Sequence, residues 1–304
     1  MNTKFQKLKT FNFNNATSHL WVFKSSASAI KYRAKFAQTD DPLNLQLKTF
    51  VHEEIQRITE FSSYSYISQT NENSCLSINV IETDFQFLKA QIDRLESENR
   101  AEGVKDLNGA KGYVVKFTHN GETVYAVKRS ASNWKTAYPK KYINMIFSDG
   151  ELTGVEDNSF SIEKNFDFYV VDNAVFISNK RGFESLMQYK SAYKNAFNQL
   201  SASQNFSDLF ADITPLVEHV GSNSMHLRRM AVVEEKGIYT RPNFMTNLQN
   251  VNTLRNWGIN FDPHTNKIIV CEATAKIILQ VLLDHRLMSE ITDNIYEVPE
   301  ATQI

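Results

Sequence analysis

Residues 128–142 read KRSASNWKTAYPKKY, a run that interleaves five cations with Trp134, Tyr138, Ser and Thr and contains no carboxylate. These residue types suit a nucleic-acid backbone. Lys and Arg neutralise phosphates and release counterions, hydroxyls and amides add phosphate contacts, and exposed rings stack on unpaired bases. From Lys111 to Phe147 seven cations face Glu122 alone, a net of +6, so the rest of the chain carries −7 of the total −1. The candidate DNA-binding set is Lys116, Lys128, Arg129, Lys135, Lys140 and Lys141, flanked by Lys180 and Arg181. The flanking pair stands in SNKRGF, where a strand pattern passes into a helical one, and a helix starting near Arg181 would add unsatisfied N–H groups suited to a phosphate. Lys190, Lys194 and Arg228-Arg229 extend the basic positions. Two plainer uses of the same charges compete: a solvated loop, or pairing with the acids elsewhere, among them Asp149, Glu151, Glu156 and Asp157, or with an acidic protein surface.

Other chemistries lose their signatures. The chain has no GxxxxGK[ST] loop, no GxGxxG after a strand, no GxSxG elbow and no HExxH pair. The seven His show no metal-ligand spacing, so neither metal nor cofactor is expected. A metal-dependent nuclease would draw on Asp157, Glu163 and Lys164, with Asp167 and Asp172 nearby. Adjacent Glu163 and Lys164 on a strand would point to opposite faces, however, which is the wrong spacing for that site. The expectation is therefore a binding protein without an assigned catalytic residue. A nuclease and a non-catalytic protein-interaction component remain the alternatives.

The elements that must hold these residues form an α+β pattern: a mixed α/β N-terminal region, a central mainly antiparallel sheet and a helical C-terminal half. Asn120-Gly121 between two alternating runs (113–129) is a strong hairpin signal, and Asp172-Asn173 between 166–171 and 174–178 is another. With a strand at 142–147 and a turn at 148–150, these predict a meander from about 112 to 179. In the N-terminal region 20–26 and 75–81 read as strands, 43–55 starts strand-like and turns helical near Phe50, and 83–100 reads as a charged helix with Phe87, Ala90, Ile92 and Leu95 on one face. Residues 102–112 read as a linker, which divides the chain into 1–108 and 109–304.

After Gly182 the period becomes 3.6. Leu186, Tyr189, Tyr193, Phe197 and Leu200 predict one amphipathic helix over the sheet. Further helices are expected over 213–220 or from 225, over 244–257 with Gly258 as the stop, and from Ala273 to about Ile295; residues 258–271 read as a small hairpin. On the last helix Ile277, Val281, Met288, Ile291 and Ile295 repeat near heptad spacing, first as core and second as a dimer seam. The chain of 304 residues, 42% hydrophobic and 22% charged, is long enough for a full core. Cys75 and Cys271, far apart, are expected to be reduced, buried thiols of a cytoplasmic protein. No uninterrupted apolar h-region opens the chain, and the most apolar run, 277–283, is too short to cross a bilayer.

FDFYVVDNAVFISNKRGFESLMQY and the later WGINFDPHTNKIIV followed by LLDHRLMSEITDNIY resemble the KwaB family, the soluble component of the Kiwa anti-phage defence system. The resemblance covers about residues 110–300 and lies in the order of these segments. It implies a cytoplasmic DNA-binding effector, recruited to the inner membrane by a small multi-pass KwaA-like partner without inserting itself, that suppresses phage DNA replication and late expression. A homodimer or higher homo-oligomer is expected. The resemblance supplies no catalytic motif.

Overall fold

The computed structural model describes residues 1–130, 144–148, 150–155, 160, 162–288 and 295–298. It divides into two compact units, residues 1–64 with 68–188, and residues 65–67 with 189–304.

The first unit opens with α1 (Asn2–Thr10), β1 (Thr17–Ser25), β2 (Tyr32–Ala37), α2 (Asp41–Arg57), β3 (Glu60–Ser63), β4 (Ser74–Asn79), α3 (Phe85–Ile92) and the short α4 (Val104–Leu107). Then come β5 (Gly112–His119), β6 (Glu122–Arg129), β7 (Asn144–Ser148), β8 (Glu151–Val155), β9 (Phe168–Val171), β10 (Ala174–Ile177) and α5 (Lys180–Leu186). Eight strands form one sheet in the order β2-β1-β5-β6-β9-β10-β4-β3, antiparallel throughout except for β3 on β4. The α+β class and the mainly antiparallel sheet are as the sequence predicts. The sheet runs across the division at 108, because β1 pairs with β5 over seven positions and β4 with β10 over four.

Both central hairpins have the two-residue turns that the sequence signals. His119 pairs with Glu122 around Asn120 (φ 49°) and Gly121 (φ 79°), left-handed conformations that Asn and Gly tolerate. Val171 pairs with Ala174 around Asp172. The predicted meander is interrupted, however. β7 and β8 pair with each other as a separate two-stranded sheet, and β6 continues directly to β9.

Each face of the sheet is covered. Tyr113, Val115, Phe117, Ala126, Tyr169 and Phe176 pack with Phe5 and Leu8 of α1 and with Leu47, Val51 and Ile55 of α2 in one core cluster. On the other face Phe85 of α3 meets Tyr125 and Phe168, and Phe183 of α5 meets Phe168 edge-on at 5.1 Å. Each fully buried ring of this kind contributes about 2–3 kcal/mol relative to exposure.

Two N-terminal expectations need correction. Residues 43–49 are helical from the start: Asp40 caps α2 by accepting from the Leu43 N–H, Pro42 fits the first turn, and Leu47, Val51 and Ile55 are the buried i, i+4 series. Leu43, Leu45 and Leu47 alternate by coincidence, and Leu45 is exposed. Lys9 closes the other end of α2 by donating to the carbonyls of Ile55, Gln56 and Ile58. The helix expected over 83–100 is only α3; its buried residues are Phe85, Leu88, Gln91 and Ile92, while Leu95 is exposed.

The second unit comprises α6 (Lys190–Ala202), α7 (Gln204–Ser207), β11 (Phe210–Asp212), α8 (Thr214–Val220), α9 (Ser224–Lys236), α10 (Phe244–Arg255), β12 (Asn260–Phe261), β13 (Ile268–Ile269), α11 (Glu272–Leu282), β14 (Arg286–Met288) and β15 (Ile295–Glu297). The single helix predicted after Gly182 is broken at Gln188, whose φ is 53°. Leu186 belongs to α5, while Tyr193, Phe197 and Leu200 form the buried stripe of α6. Both α8 and α9 are present, and β12 and β13 make the expected hairpin, joined by β11 in parallel. α10 stops at Asn256 (φ 50°), two residues before Gly258, because Asn252 grips the N–H and the carbonyl of Ile259 with its side chain. α11 ends at Leu282, with Asp284 left-handed at φ 58°, and the chain turns into β14. Met288 and Ile295 therefore stand on strands, Ile291 lies outside the described residues, and the described residues carry no helical heptad seam there. Cys75 is buried, its thiol pushed up to about 12 by desolvation. Cys271 is exposed, contrary to expectation, and hydrogen bonds with Thr274 lower its pKa.

Candidate nucleic-acid interface

The register of the β5–β6 hairpin sets where each basic residue can point. Gly112 pairs with Arg129 and Tyr113 with Lys128, so the two adjacent cations face opposite sides of the sheet. Lys128 points into the core side and is 5% exposed. Its Nζ lies 2.8 Å from Glu163 Oε2, 2.8 Å from Asn165 Oδ1 and 3.6 Å from Asp167 Oδ1. A buried ammonium with three oxygen partners is satisfied inside the fold. Arg129 is exposed.

Asp167 builds the junction. Its carboxylate accepts from the Arg129 backbone N–H at 2.7 Å and from Asn179 Nδ2 at 2.8 Å, and its carbonyl accepts from the N–H groups of Ser178 and Asn179. Asn179 in turn caps α5 by accepting from the Gly182 N–H. One buried carboxylate thus ties the exit of β6 to the entry of α5, bringing Arg129 and Lys180-Arg181 to the same end of the sheet although some fifty residues separate them. Burial raises the Asp167 pKa, while the Arg129 N–H, Lys128 and Asn179 work against it. The close fit explains Gly182: a Cβ there would overlap the Asp167 carboxylate.

The remaining candidates separate by partner. Arg181 is exposed. Lys180 donates to the Ser68 carbonyl at 2.7 Å and lies over the Tyr64 ring, so it is anchored beside the junction. Lys116, on the opposite face from Lys128, bonds Asp93 at 2.7 Å beside Tyr125. Lys135, Lys140 and Lys141, with Trp134 and Tyr138, lie outside the described residues. The expected phosphate seat at the α5 N-terminus is filled in part by the Asn179 side chain, and α5 has only seven residues. Lys111 belongs to the basic span and stands outside the predicted contact set. It sits half-exposed at the same sheet end, its carbonyl accepting from the Ser130 N–H. The two-residue Asn120-Gly121 turn already implies that pairing, since counting outward sets 111 opposite 130.

Among the described residues, three carboxylates around the junction have partners within the protein: Asp167 as above, Glu163 with Lys128, and Glu184 with the Tyr64 hydroxyl at 2.9 Å. Lys111, Arg129 and Arg181 make no ion pair among the described residues. Of the nuclease candidates, only Glu163 and Asp167 meet among the described residues, and they meet at a lysine. Glu163 and Asp167 hold Lys128, Lys164 lies over the Phe50 ring, Asp172 bonds Lys7, and Asp157 lies outside the described residues. Among the described residues no three His, Cys, Asp or Glu side chains are grouped to hold a metal.

Residues 107–292 match the family model of the Kiwa protein KwaB-like family. The chain belongs to this family. Membership implies a role in Kiwa anti-phage defence. The KwaB-like match begins just before β5 and takes in the junction, the α5 entry and most of the second unit. No curated protein and no solved structure matches the chain. Among the described residues no helix is long and apolar enough to cross a membrane.

Proposed function

We propose that this KwaB-like chain is the DNA-binding effector of a Kiwa complex, holding DNA through backbone phosphates without strong sequence preference. Lys111, Arg129 and Arg181 make contacts at the sheet end, Lys135, Lys140 and Lys141 contribute from the basic run that leaves Ser130, and Lys180 and Lys116 lie at the margin. Lys128 is excluded by its burial. The observation that carries the reading is the Asp167 junction: it gathers cations distant in sequence, while Asp167 is buried and Glu163 and Glu184 are bonded to Lys128 and Tyr64. In this reading the effector is cytoplasmic and is recruited to the inner membrane by a KwaA-like multi-pass partner, where it suppresses phage replication and late expression.

A titration of the full chain with labelled DNA across salt concentrations tests the reading. Phosphate contacts make log K fall linearly with log salt, with a slope of roughly −0.9 per phosphate on duplex DNA. Salt-independent or absent affinity removes the proposal. Running the same titration with magnesium or with chelator separates a nuclease, since magnesium-dependent cleavage would replace the binding reading.

A further inference from the structure

α6 differs from its neighbours in what it shows to solvent. Tyr193, Ala196, Phe197 and Leu200 are buried, whereas Lys190, Lys194, Asn195, Asn198 and Gln199 are exposed. No Asp or Glu occurs between Glu184 and Asp208. Three other helices of the unit carry acids, Glu218 on α8, Glu234 and Glu235 on α9 and Glu272 on α11, while α7 and α10 carry none but lack a pair of lysines one turn apart. Surface helices are commonly supported by opposite charges at i, i+4, yet Lys190 and Lys194 place like charges at that spacing, which opposes the helix. None of the five exposed side chains has an ion pair or side-chain hydrogen bond among the described residues. No described side chain pairs with either lysine to relieve the repulsion, and an external polyanion would relieve it.

We propose that the solvent face of α6 is a second DNA-contacting surface, specific for duplex. Lys190 and Lys194 neutralise phosphates, and Asn195, Asn198 and Gln199 reach backbone oxygens and base edges. Charge complementarity names the partner, and the buried aromatics choose its form. Single-strand binding relies on exposed rings for stacking, and the rings of α6 are on its inner side. A straight helix of this length, roughly 20 Å at 1.5 Å per residue, lies readily in a major groove about 12 Å wide. The inference rests on the reading of the chain as a DNA binder and adds a surface in the other unit.

The test is binding of the full chain to labelled mixed-sequence duplex and to its single strand, for wild type, K190E/K194E and N195A/N198A. K190E/K194E is expected to weaken duplex binding at least about tenfold and to flatten the salt slope by about two. N195A/N198A is expected to lose about two- to fivefold with the slope unchanged. Thermal midpoints should hold, since all four side chains are exposed. Wild-type binding matched by K190E/K194E overturns the second surface and leaves the proposed function standing. Loss confined to the single strand overturns the duplex assignment. Absence of salt-dependent binding by wild type overturns both readings.

Discussion

The two ends of the main sheet handle charge in opposite ways. At the hairpin end, Lys7 of α1 reaches both turns, with Nζ 3.2 Å from Glu122 Oε1 and 3.0 Å from Asp172 Oδ1. Cation and acid cancel at the surface. At the junction end the nearest acid, Asp167, is 1% exposed and spends its oxygens on a backbone N–H and an amide. Arg129 and Arg181 are left in water. A local excess of positive charge thus arises from where the carboxylates point, and composition records only the total. At one end an acid consumes a cation; at the other an acid organises the backbone that presents cations.

The largest effects should follow from removing the buried organiser. Asp167→Ala would strand the Arg129 N–H, the Asn179 amide and part of the Lys128 ammonium, costing about 3 kcal/mol or more. Gly182→Ala should cost a similar amount through overlap with the same carboxylate. Urea unfolding at constant m reads both. A loss below about 1 kcal/mol in each would show that the junction does not depend on Asp167. Next comes the contrast itself. R129E/R181E is expected to lower DNA affinity about tenfold or more, about 1.4 kcal/mol, with the unfolding midpoint unchanged. A lysine-to-methionine change at the hairpin end, K7M, should leave DNA affinity at wild type. Equal effects at the two ends would break the comparison.

How much of this was legible in the sequence depends on the range of the interaction. Asn120-Gly121 and Asp172-Asn173 fixed their hairpins because two-residue turns are decided locally. Over 43–49 the local pattern misleads, because Leu43, Leu45 and Leu47 alternate like a strand, while the Asp40 cap and the Leu47-Val51-Ile55 series that decide for helix sit at its edges. The breaks at Gln188 and Asp284 depend on left-handed residues other than Gly, which carry little sequence signal. At the site, adjacency of Lys128 and Arg129 suggested a shared role, yet strand alternation sends one inward. The partner that buries Lys128, Asp167, is 39 positions away and invisible to local patterns. The pairing of Lys111 with Ser130 could have been read by counting from the turn.

Asp93 offers a smaller test of which cations are engaged. Burial raises its pKa, but hydrogen bonds from Lys116, Lys89 and Tyr125 together outweigh that and hold it below the usual value. A carboxylate with a depressed folded pKa contributes stability above its unfolded pKa of about 3.9, lost as the pH falls through the folded value. D93N should therefore cost about 1 kcal/mol at neutral pH, discounted for partial exposure. It should also flatten the acid limb of stability below about pH 4. Because D93N releases Lys116 from its partner, DNA binding should be no weaker than wild type. Weaker binding would place Asp93 in the interface instead.

The smallest effect is expected from K7M on stability. Lys7 and both its acidic partners are substantially exposed, so the two ion pairs together should contribute no more than about 1 kcal/mol and should fade as salt rises. The bond to Asp172 first, and that to Glu122 second, raise the Lys7 pKa. A raised amine pKa stabilises the fold at every pH below the unfolded value of about 10.4, and that contribution disappears as the pH rises through the folded value. The difference between wild type and K7M should accordingly be flat from about pH 6 to 9 and should shrink in alkali. A difference that is large, or that persists in high salt, would mean that Lys7 fastens the turns by packing its methylene stem rather than by charge, and the hairpin end would then resemble the junction more than it differs from it.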